Sequence, residues 1–317
     1  MTGPLGADSL KPMTKRSLGG ILPPIPTTFD DAGQLDLRGL ADNLRRWANT
    51  GLSGILALGS NGEAAMLDDD ESDAVLGTVR EVWPSDRFLL AGVGRESTRA
   101  TIAAAQRAGR SGVDGVLVRP PSAFRSQMTP EALLKHFTAV ADASPVPVLL
   151  YNLPGATGVT LTLPIVARLA EHPNVIGMKE TSPELERLGQ FAALRPEKFA
   201  VLCGWAPVVY PALASGAAGA ILAVANVLPD VCVALFDAVR AGRHEEALAI
   251  QRELTPLAQL VTSGHGIAGL KIALELAGYR GGAVRAPLLP APAAARDEIA
   301  SAINRLQSSR AVVGAGR

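Results

Sequence analysis

The chain has 317 residues, of which 48% are hydrophobic and 4% aromatic, with 32 glycines and 23 prolines. This composition suits one large domain or two ordinary ones, with a packed core and many tight turns. Basic and acidic residues number 30 each, so no net field attracts nucleic acid or an anionic membrane surface. Cys203 and Cys232 lie in apolar segments without metal-ligand spacing, which indicates reduced core cysteines and a cytoplasmic protein.

The first 18 residues are polar, contain several glycines and prolines, and lack the apolar core of a signal peptide. We predict that residues 1–18 are a disordered leader. No segment has eighteen or more uninterrupted apolar residues, so no membrane span is predicted.

From Gly20 onward, short apolar runs alternate with amphipathic stretches of helical periodicity. Each apolar run is followed by a loop that contains glycine, proline or serine, as expected of buried parallel strands. The pattern predicts eight strands, at Gly20–Pro26, Gly54–Leu58, Phe88–Val93, Gly115–Val118, Val146–Tyr151, Val175–Lys179, Ala200–Cys203 and Gly219–Ala223.

The intervening segments begin as helices do, with a short polar residue at the N-cap or proline in the first turn. N-cap candidates are Asp36, Asp68, Ser97, Thr129, Thr162 and Ser182. Eight strands alternating with eight helices predict an α/β fold, a (β/α)₈ TIM barrel, over residues 19–242, with a doubly wound open sheet as the alternative. The helices are predicted at Leu37–Asn49, Asp69–Val82, Thr98–Arg110, Pro130–Ala143, Leu163–Glu171, Pro183–Leu194, Pro207–Ala214 and Pro229–Ala241.

Beyond Gly242 the strand pattern stops and only helical periodicity continues. Helices are expected at His244–Leu260, Ile267–Ala277 and Arg296–Leu306. We predict that residues 243–308 are a C-terminal helical appendage of the same domain, and that 309–317 form a disordered tail.

Lys179 ends the apolar strand Val175–Lys179 and is followed at once by Thr181, Ser182 and Pro183. In an α/β barrel this strand end is the mouth, where catalytic residues lie. A lysine at a strand end often only extends to water. Burial beside an apolar strand instead disfavours the ammonium and frees the amine to attack a ketone, so Lys179 is a candidate Schiff-base nucleophile.

The loop after the second strand reads Gly59–Ser60–Asn61–Gly62–Glu63. Its glycines let the backbone approach a ligand, and Ser60 with exposed N–H groups suits a carboxylate. A plain strand-to-helix turn would look alike. No Gly-Lys-Ser/Thr follows, which excludes a P-loop.

Tyr151 ends the fifth predicted strand, next to the strand that carries Lys179. A tyrosine in this place is often only a packing residue. Adjacent strands lie about 4.8 Å apart, so a phenol and an amine at one level can reach the same substrate. Tyr151 is therefore a candidate for the proton transfers that imine chemistry requires.

Three motifs, GSNGE at 59–63, YNLPGATG at 151–158 and GMKET at 177–181, resemble those of the pyruvate-dependent class I aldolases of the dihydrodipicolinate synthase and N-acetylneuraminate lyase family. The resemblance covers roughly residues 20–290. Within the family the chain looks most like the 4-hydroxy-2-oxoglutarate aldolases, on HPNVIGMKE at 172–180 and GLKIALELAGYRGGAVRAPL at 269–288.

The resemblance implies a TIM barrel with a C-terminal helical region and a homotetramer or homodimer. It implies Lys179 as the imine-forming residue, Tyr151 as the proton shuttle, and Ser60 as a catalytic partner that tunes the tyrosine. It places the pyruvyl carboxylate on Ser60, Asn61 and Gly62. Thr181 is a further candidate contact to substrate, with capping of the next helix as an equal alternative. Neither a cofactor nor a metal is implied.

Two positions depart from the family pattern. Dihydrodipicolinate synthases have a carboxylate-binding arginine two residues after the proline of YN-x-P, and here that position is Ala156. The loop after the fourth strand lacks the tyrosine that many members lend to a neighbouring subunit, although Ser122 is a possible substitute. Arg119 and Arg125 in that loop are either receptors for a second substrate carboxylate or solvated loop residues.

These observations predict a lyase that forms or cleaves a C–C bond between pyruvate and an aldehyde, acting on a 4-hydroxy-2-oxo acid such as 4-hydroxy-2-oxoglutarate. Dihydrodipicolinate synthase and a sugar-acid dehydratase of the same family are alternatives. A phosphate-binding barrel isomerase is disfavoured by the loops after strands seven and eight. A non-catalytic pyruvate sensor on the same barrel remains an alternative of another class.

Overall fold

The computed structural model describes residues 18–195 and 197–315, with side chains up to residue 308. Residues 1–17 of the predicted leader lie outside the described part. Eight strands form one parallel sheet, and all eight predicted strands are confirmed. Their bounds are β1 Gly20–Leu22, β2 Gly54–Ala57, β3 Phe88–Gly92, β4 Gly115–Val118, β5 Val148–Asn152, β6 Val175–Glu180, β7 Ala200–Cys203 and β8 Gly219–Ile221.

The sheet closes into a barrel. Each strand pairs with its neighbour in sequence from β2 to β8, and β8 pairs with β1. Beyond the end of β1, Ile25 N–H donates to the Leu56 carbonyl at 2.9 Å and so connects this segment to β2. This order confirms the (β/α)₈ barrel and excludes an open doubly wound sheet. β1 is shorter than predicted because prolines 23, 24 and 26 have no N–H for a ladder.

A helix follows every strand, as predicted. The outer helices are α1 Leu37–Ala48, α2 Asp69–Val82, α3 Thr98–Arg110, α4 Pro130–Ala143, α5 Leu163–Leu169, α6 Leu185–Ala192, α7 Val209–Ala214 and α8 Pro229–Arg240. The side chains of Asp36, Asp68, Ser97 and Thr129 accept the backbone N–H three residues on, which fixes the start of α1 to α4.

The other two N-cap candidates behave differently. Thr162 is the N-cap of α5, but its side chain makes no capping hydrogen bond. Ser182 is not a cap, because α6 begins at Leu185 after Glu184. Its hydroxyl instead accepts the Glu184 N–H and an N–H of Arg187.

Three helices follow the barrel, α9 His244–Gln259, α10 Gly266–Leu276 and α11 Ala294–Ala315, with a π-helical turn at Leu260–Gly264. Val261, Leu270 and Ile299 belong to the same apolar cluster as the barrel's outer layer. The last helix extends through residues 309–315, most of the segment expected to be a disordered tail.

Apolar side chains form two layers. An outer cluster fills the space between strands and helices, and an inner cluster fills the barrel. Tyr151 belongs to the inner cluster and lies at the C-terminal end of β5. Among the described helices, none is long and apolar enough to cross a membrane.

Candidate active site

Lys179 and Tyr151 lie side by side at the C-terminal ends of β6 and β5. Their Cα positions are partners in the ladder, and each residue is only 6% exposed. The Lys179 Nζ lies 4.5 Å from the centre of the Tyr151 ring. An amine and a phenol thus share one end of the barrel, as the sequence predicted.

A β-bulge near the N-terminal ends of β5 and β6 produces this pairing. Val148 pairs with Val175, but the next residue, Leu149, pairs with Gly177, so Ile176 is the extra residue on β6. Without it, Tyr151 would be level with Met178, whose side chain belongs to the outer apolar cluster. The bulge therefore turns Lys179, instead of Met178, to the same face as Tyr151.

The residues after the pair are linked to each other. Asn152 and Glu180 are fully buried, and the Asn152 side-chain amide donates to Glu180 Oε2 at 2.7 Å. Arg187 of α6 lies 3.2 Å from Glu180 Oε1 and supplies the opposite charge. Asn152 Oδ1 accepts the Leu161 N–H at 2.9 Å. Because a buried carboxylate is costly without partners, these contacts fix the strand ends that carry the amine and the phenol.

The loop 59–63 after β2 has an unusual backbone at both ends. Leu58 and Glu63 each adopt φ +53°, a left-handed conformation that costs non-glycine residues energy. The Thr27 hydroxyl donates to the Gly62 carbonyl at 2.7 Å, and a Cβ on Gly62 would lie 3.1 Å from the Ile25 carbonyl oxygen. The surrounding chain therefore holds the loop in one shape.

Glu63 connects this loop to the C-terminal helices. Its Oε1 lies 2.6 Å from Lys271 Nζ of α10, close enough for an ion pair, although the angles are not those of a hydrogen bond. Its Oε2 accepts the Arg285 N–H at 2.8 Å. Burial lowers the pKa of Lys271, and the Glu63 carboxylate opposes that shift. The buried pair attaches the loop to a helix outside the barrel.

A cavity of about 680 Å³ opens above the strand ends. The cavity is lined by Lys179, Tyr151, Ser60, Asn61 and Thr181. The structure therefore brings together all the predicted site residues except Gly62, which is buried and does not line the cavity. The π-helical turn and the start of α10 contribute Val261, Thr262, Ser263, Gly266 and Ile267. The C-terminal helices therefore form one wall of the site.

Thr181 lies two residues beyond Lys179, just after β6, and also lines the cavity. Its Oγ1 is buried and has no hydrogen-bond partner. A Cβ on Gly204 would lie 1.9 Å from Thr181 Oγ1 and 2.9 Å from Lys179 Cε. Only glycine therefore fits at position 204.

The loop after β4 is held by Glu96 at the start of α3. Its carboxylate accepts the Ser122 and Ala123 N–H groups at 2.8 Å each and pairs with Arg119 at 2.7 Å. The Arg119 guanidinium is therefore already paired with a carboxylate of the protein. Arg125 is exposed, close to Gly158, and does not line the cavity. A second cavity of about 480 Å³ lies beside the first and is lined by Arg95, Arg119, Ser60 and Tyr151.

Both cysteines are free and buried. Burial raises the pKa of the Cys203 thiol to about 12, so it is a poor nucleophile although it lies near the site. Within residues 18–195 and 197–315, no group of three or more histidine, cysteine, aspartate or glutamate side chains could hold a metal ion.

Several residues of the site were not predicted. Asn152 and Glu180 gave a usable signal, since each is a polar residue immediately after a candidate at the end of a buried strand. Lys271 gave a weaker one, as a single charge in the apolar run Gly269–Leu274. Gly204 and Trp205 gave none, because their importance depends on which loops meet above the barrel.

The chain matches known proteins over nearly its whole length. The model of the dihydrodipicolinate synthetase family matches residues 17–306. A 4-hydroxy-tetrahydrodipicolinate synthase of Exiguobacterium is 34% identical, covering 92% of this chain and 99% of its own. A protein of Emericella nidulans named "Probable 4-hydroxy-2-oxoglutarate aldolase, mitochondrial" is 36% identical, covering 83% and 85%.

A crystal structure of a family member from E. coli K12, a prophage protein in complex with pyruvate, superposes with a TM-score of 0.85 at 30% identity, covering 91% of this chain and 98% of that one. The chain belongs to the dihydrodipicolinate synthetase family. Enzymes of this family are pyruvate-dependent carbon–carbon lyases that bind substrate covalently through a lysine imine and need no added cofactor. The protein is accordingly a lyase of this kind.

Proposed function

We propose that the protein is an aldolase for 4-hydroxy-2-oxo acids and that Lys179 is its imine-forming residue. The Lys179 amine adds to the C2 ketone, and loss of water gives an iminium. When the C3–C4 bond breaks, its electron pair moves onto C3 and is delocalised onto the iminium nitrogen as an enamine. Protonation at C3 and hydrolysis then release pyruvate, and carbon 4 leaves as an aldehyde.

Tyr151 carries the protons of this reaction. Cleavage of C3–C4 requires the C4 hydroxyl to lose its proton as the aldehyde carbonyl forms, and the Tyr151 side chain beside the amine, acting as phenolate, accepts it and becomes the phenol. The reverse steps return the proton during condensation. The 4.5 Å between the amine and the ring centre supports a role in the same reaction.

The pyruvyl carboxylate is held by the loop 60–62. Ser60 and Asn61 line the same cavity as Lys179, and the backbone at Gly62 is fixed by Thr27. Ser60 also borders both cavities together with Tyr151, which supports its role as the group that orients the phenol. Thr181, with its unpaired hydroxyl, binds the substrate oxygen at C4.

4-Hydroxy-2-oxoglutarate belongs to this substrate class and is the substrate in the name of the Emericella nidulans relative. Dihydrodipicolinate synthesis is disfavoured by Ala156, which stands where the synthases have a carboxylate-binding arginine. A dehydratase would use the same imine but lose water, so analysis of products separates it from an aldolase.

The burial of the Lys179 amine against Tyr151 carries the proposal. The test is reduction with borohydride in the presence of pyruvate, followed by mass mapping. We expect one stable adduct on Lys179 and none in Lys179→Met, whereas Lys135→Met, at an exposed lysine paired with Glu131, keeps the adduct. A folded wild type that gains no adduct would exclude this mechanism.

We also propose that the protein is a homo-oligomer, a tetramer or a dimer. Phe124 is 74% exposed in the loop after β4, and Leu289 is 80% exposed. Large apolar side chains this exposed favour coverage by another subunit. Light scattering in line with size exclusion gives the mass, and a monomer at micromolar concentration would contradict the proposal.

A further inference from the structure

The larger cavity carries almost no charge beyond the reacting amine. Of its described lining residues, Lys179 is the only cation and Glu184 the only anion. Lys179 is consumed by the imine, whose positive charge is balanced by the pyruvyl carboxylate. No other cation among these lining residues is left to neutralise a second carboxylate, and burying a carboxylate without a partner is costly.

The nearby arginines do not supply a positive charge to this cavity. Arg187 binds Glu180, Glu184 and the Ser182 hydroxyl and is not part of the lining. Arg119 is paired with Glu96. Arg95 lines only the second cavity, which Lys179 does not border. A substrate joined to Lys179 therefore extends along the wall that lacks arginine.

That wall is mainly hydrocarbon. Beyond Thr181 it is formed by apolar side chains from the loops after β5 and β7, from the end of β8 and from the C-terminal helices, namely Leu153, Pro154, Trp205, Ile221, Val261 and Ile267. Trp205 offers an aromatic surface, and Ala156 leaves the rim open and uncharged. Such a lining favours the burial of hydrocarbon.

We propose that the aldehyde partner of this enzyme is an uncharged alkyl or aryl aldehyde, so that the preferred substrates are 4-hydroxy-2-oxo acids with a hydrocarbon group on C4. This inference rests on the proposed aldolase function and specifies its second substrate. 4-Hydroxy-2-oxoglutarate, with a carboxylate on C4, is then the poorer substrate. The bond changes are those of the aldol reaction above, and no further reactant is needed.

The test uses two pairs of aldehydes that differ in one carboxylate: butanal against 4-oxobutanoate, and benzaldehyde against 4-formylbenzoate. Each is condensed with pyruvate by the full-length protein, and kcat/KM is measured. We expect the uncharged member to be favoured at least tenfold in both pairs. Equal or reversed preference overturns the inference.

Two substitutions at Ala156 test whether charge determines the substrate preference. Ala156→Arg adds a cation to an exposed rim position, and Ala156→Met adds similar length without charge. We expect arginine to shift the preference toward the carboxylates at least tenfold and methionine to leave it within about twofold. If both variants shift the preference equally, charge is not the determinant and the proposal fails.

Borohydride trapping separates this inference from the proposed function. A wild type that gives no pyruvate adduct refutes the aldolase mechanism itself. A wild type that forms the adduct but prefers the carboxylates, or turns over none of the four aldehydes, refutes only the second-substrate assignment.

Discussion

Tyr151 and Lys179 are paired in the ladder, and each is only 6% exposed. Either residue alone at a strand end is ordinary, but in the proposed mechanism this pairing brings a base and a nucleophile to one substrate. The positions were predictable because parallel strand ends meet at one edge of the barrel. The bulge at Ile176 that makes the alignment was not, since nothing in Val175–Gly177 signals an extra residue.

Tyr151→Phe separates these roles. The ring remains beside the amine while the proton carrier is lost, so we expect kcat to fall at least 100-fold and the pyruvate adduct to persist. Rapid-quench turnover and borohydride trapping measure the two steps. Turnover at the wild-type rate would exclude Tyr151 as the shuttle, and a wild type that binds pyruvate without any turnover would favour a sensor.

Thr181 is the clearest single hydroxyl to test. Thr181→Val keeps the shape and removes a buried group without a partner, so we expect the melting temperature to rise by about 1–3 °C and kcat/KM to fall about tenfold. The matched control is Thr101→Val. Its hydroxyl is bonded to Arg95 and Ser97 carbonyls and accepts the Arg95 N–H, so this change should lower the melting temperature. Destabilisation by both changes would show that Thr181 is structural.

At the scale of elements, loops after β2 and β4 are held by buried or half-buried carboxylates. Partial burial raises the pKa of Glu96, but the Ala123 and Ser122 N–H groups and the Arg119 guanidinium outweigh it and bring the pKa to about 2. A depressed pKa means that Glu96 stabilises the fold fully above its ordinary value of 4.5 and loses that contribution as the pH falls toward 2.

Glu96→Gln should therefore destabilise the protein in a pH-dependent way. Solvent screening reduces the expected loss to about 1 kcal/mol at pH 7, shrinking steadily as the pH falls below 4.5. Urea unfolding at several pH values measures it. Glu131→Gln, at a fully exposed pair with Lys135, should change nothing measurable. A Glu96→Gln penalty that stays constant down to pH 3 would contradict the assignment.

Element positions followed closely from periodicity and capping. Asp68 illustrates this, since it forms a capping box with Glu71, which is close in sequence, and α2 begins where predicted. Arg119 illustrates the limit. The sequence left it either solvated or binding substrate, but it lies against Glu96 across 23 residues. Glu63 and Lys271 likewise have no local pattern that relates them.

For the whole molecule, the C-terminal helices pack directly against the barrel. Trp47 of α1 stacks on Tyr279 at 5.4 Å between ring centres, and Asn43 donates to the Arg280 carbonyl at 2.8 Å. The buried Glu63–Lys271 pair and the common apolar cluster add to these contacts. This supports the proposal that residues 243–308 belong to the same domain as 19–242.

We expect a single unfolding transition in urea. Far-UV circular dichroism reports the helices throughout. Tryptophan fluorescence of a variant with Trp83→Phe and Trp205→Phe, which keeps Trp47 alone, reports the contact between Trp47 and Tyr279. The two midpoints should agree, because the helices cannot leave without exposing Lys271 and Glu63. Midpoints that differ by more than about 0.5 M urea would mean that the appendage unfolds on its own.

The ion pair of Glu63 and Lys271 also has a consequence for biosynthesis. Ser60 and Asn61, the proposed pyruvate-binding residues, are made early, and Lys271, which anchors their loop, follows Glu63 by 208 residues. A ribosome-bound fragment can therefore carry both Tyr151 and Lys179 while its rim is still unanchored. The loop of the proposed pyruvate site can therefore be anchored only once synthesis has passed residue 271 of 317.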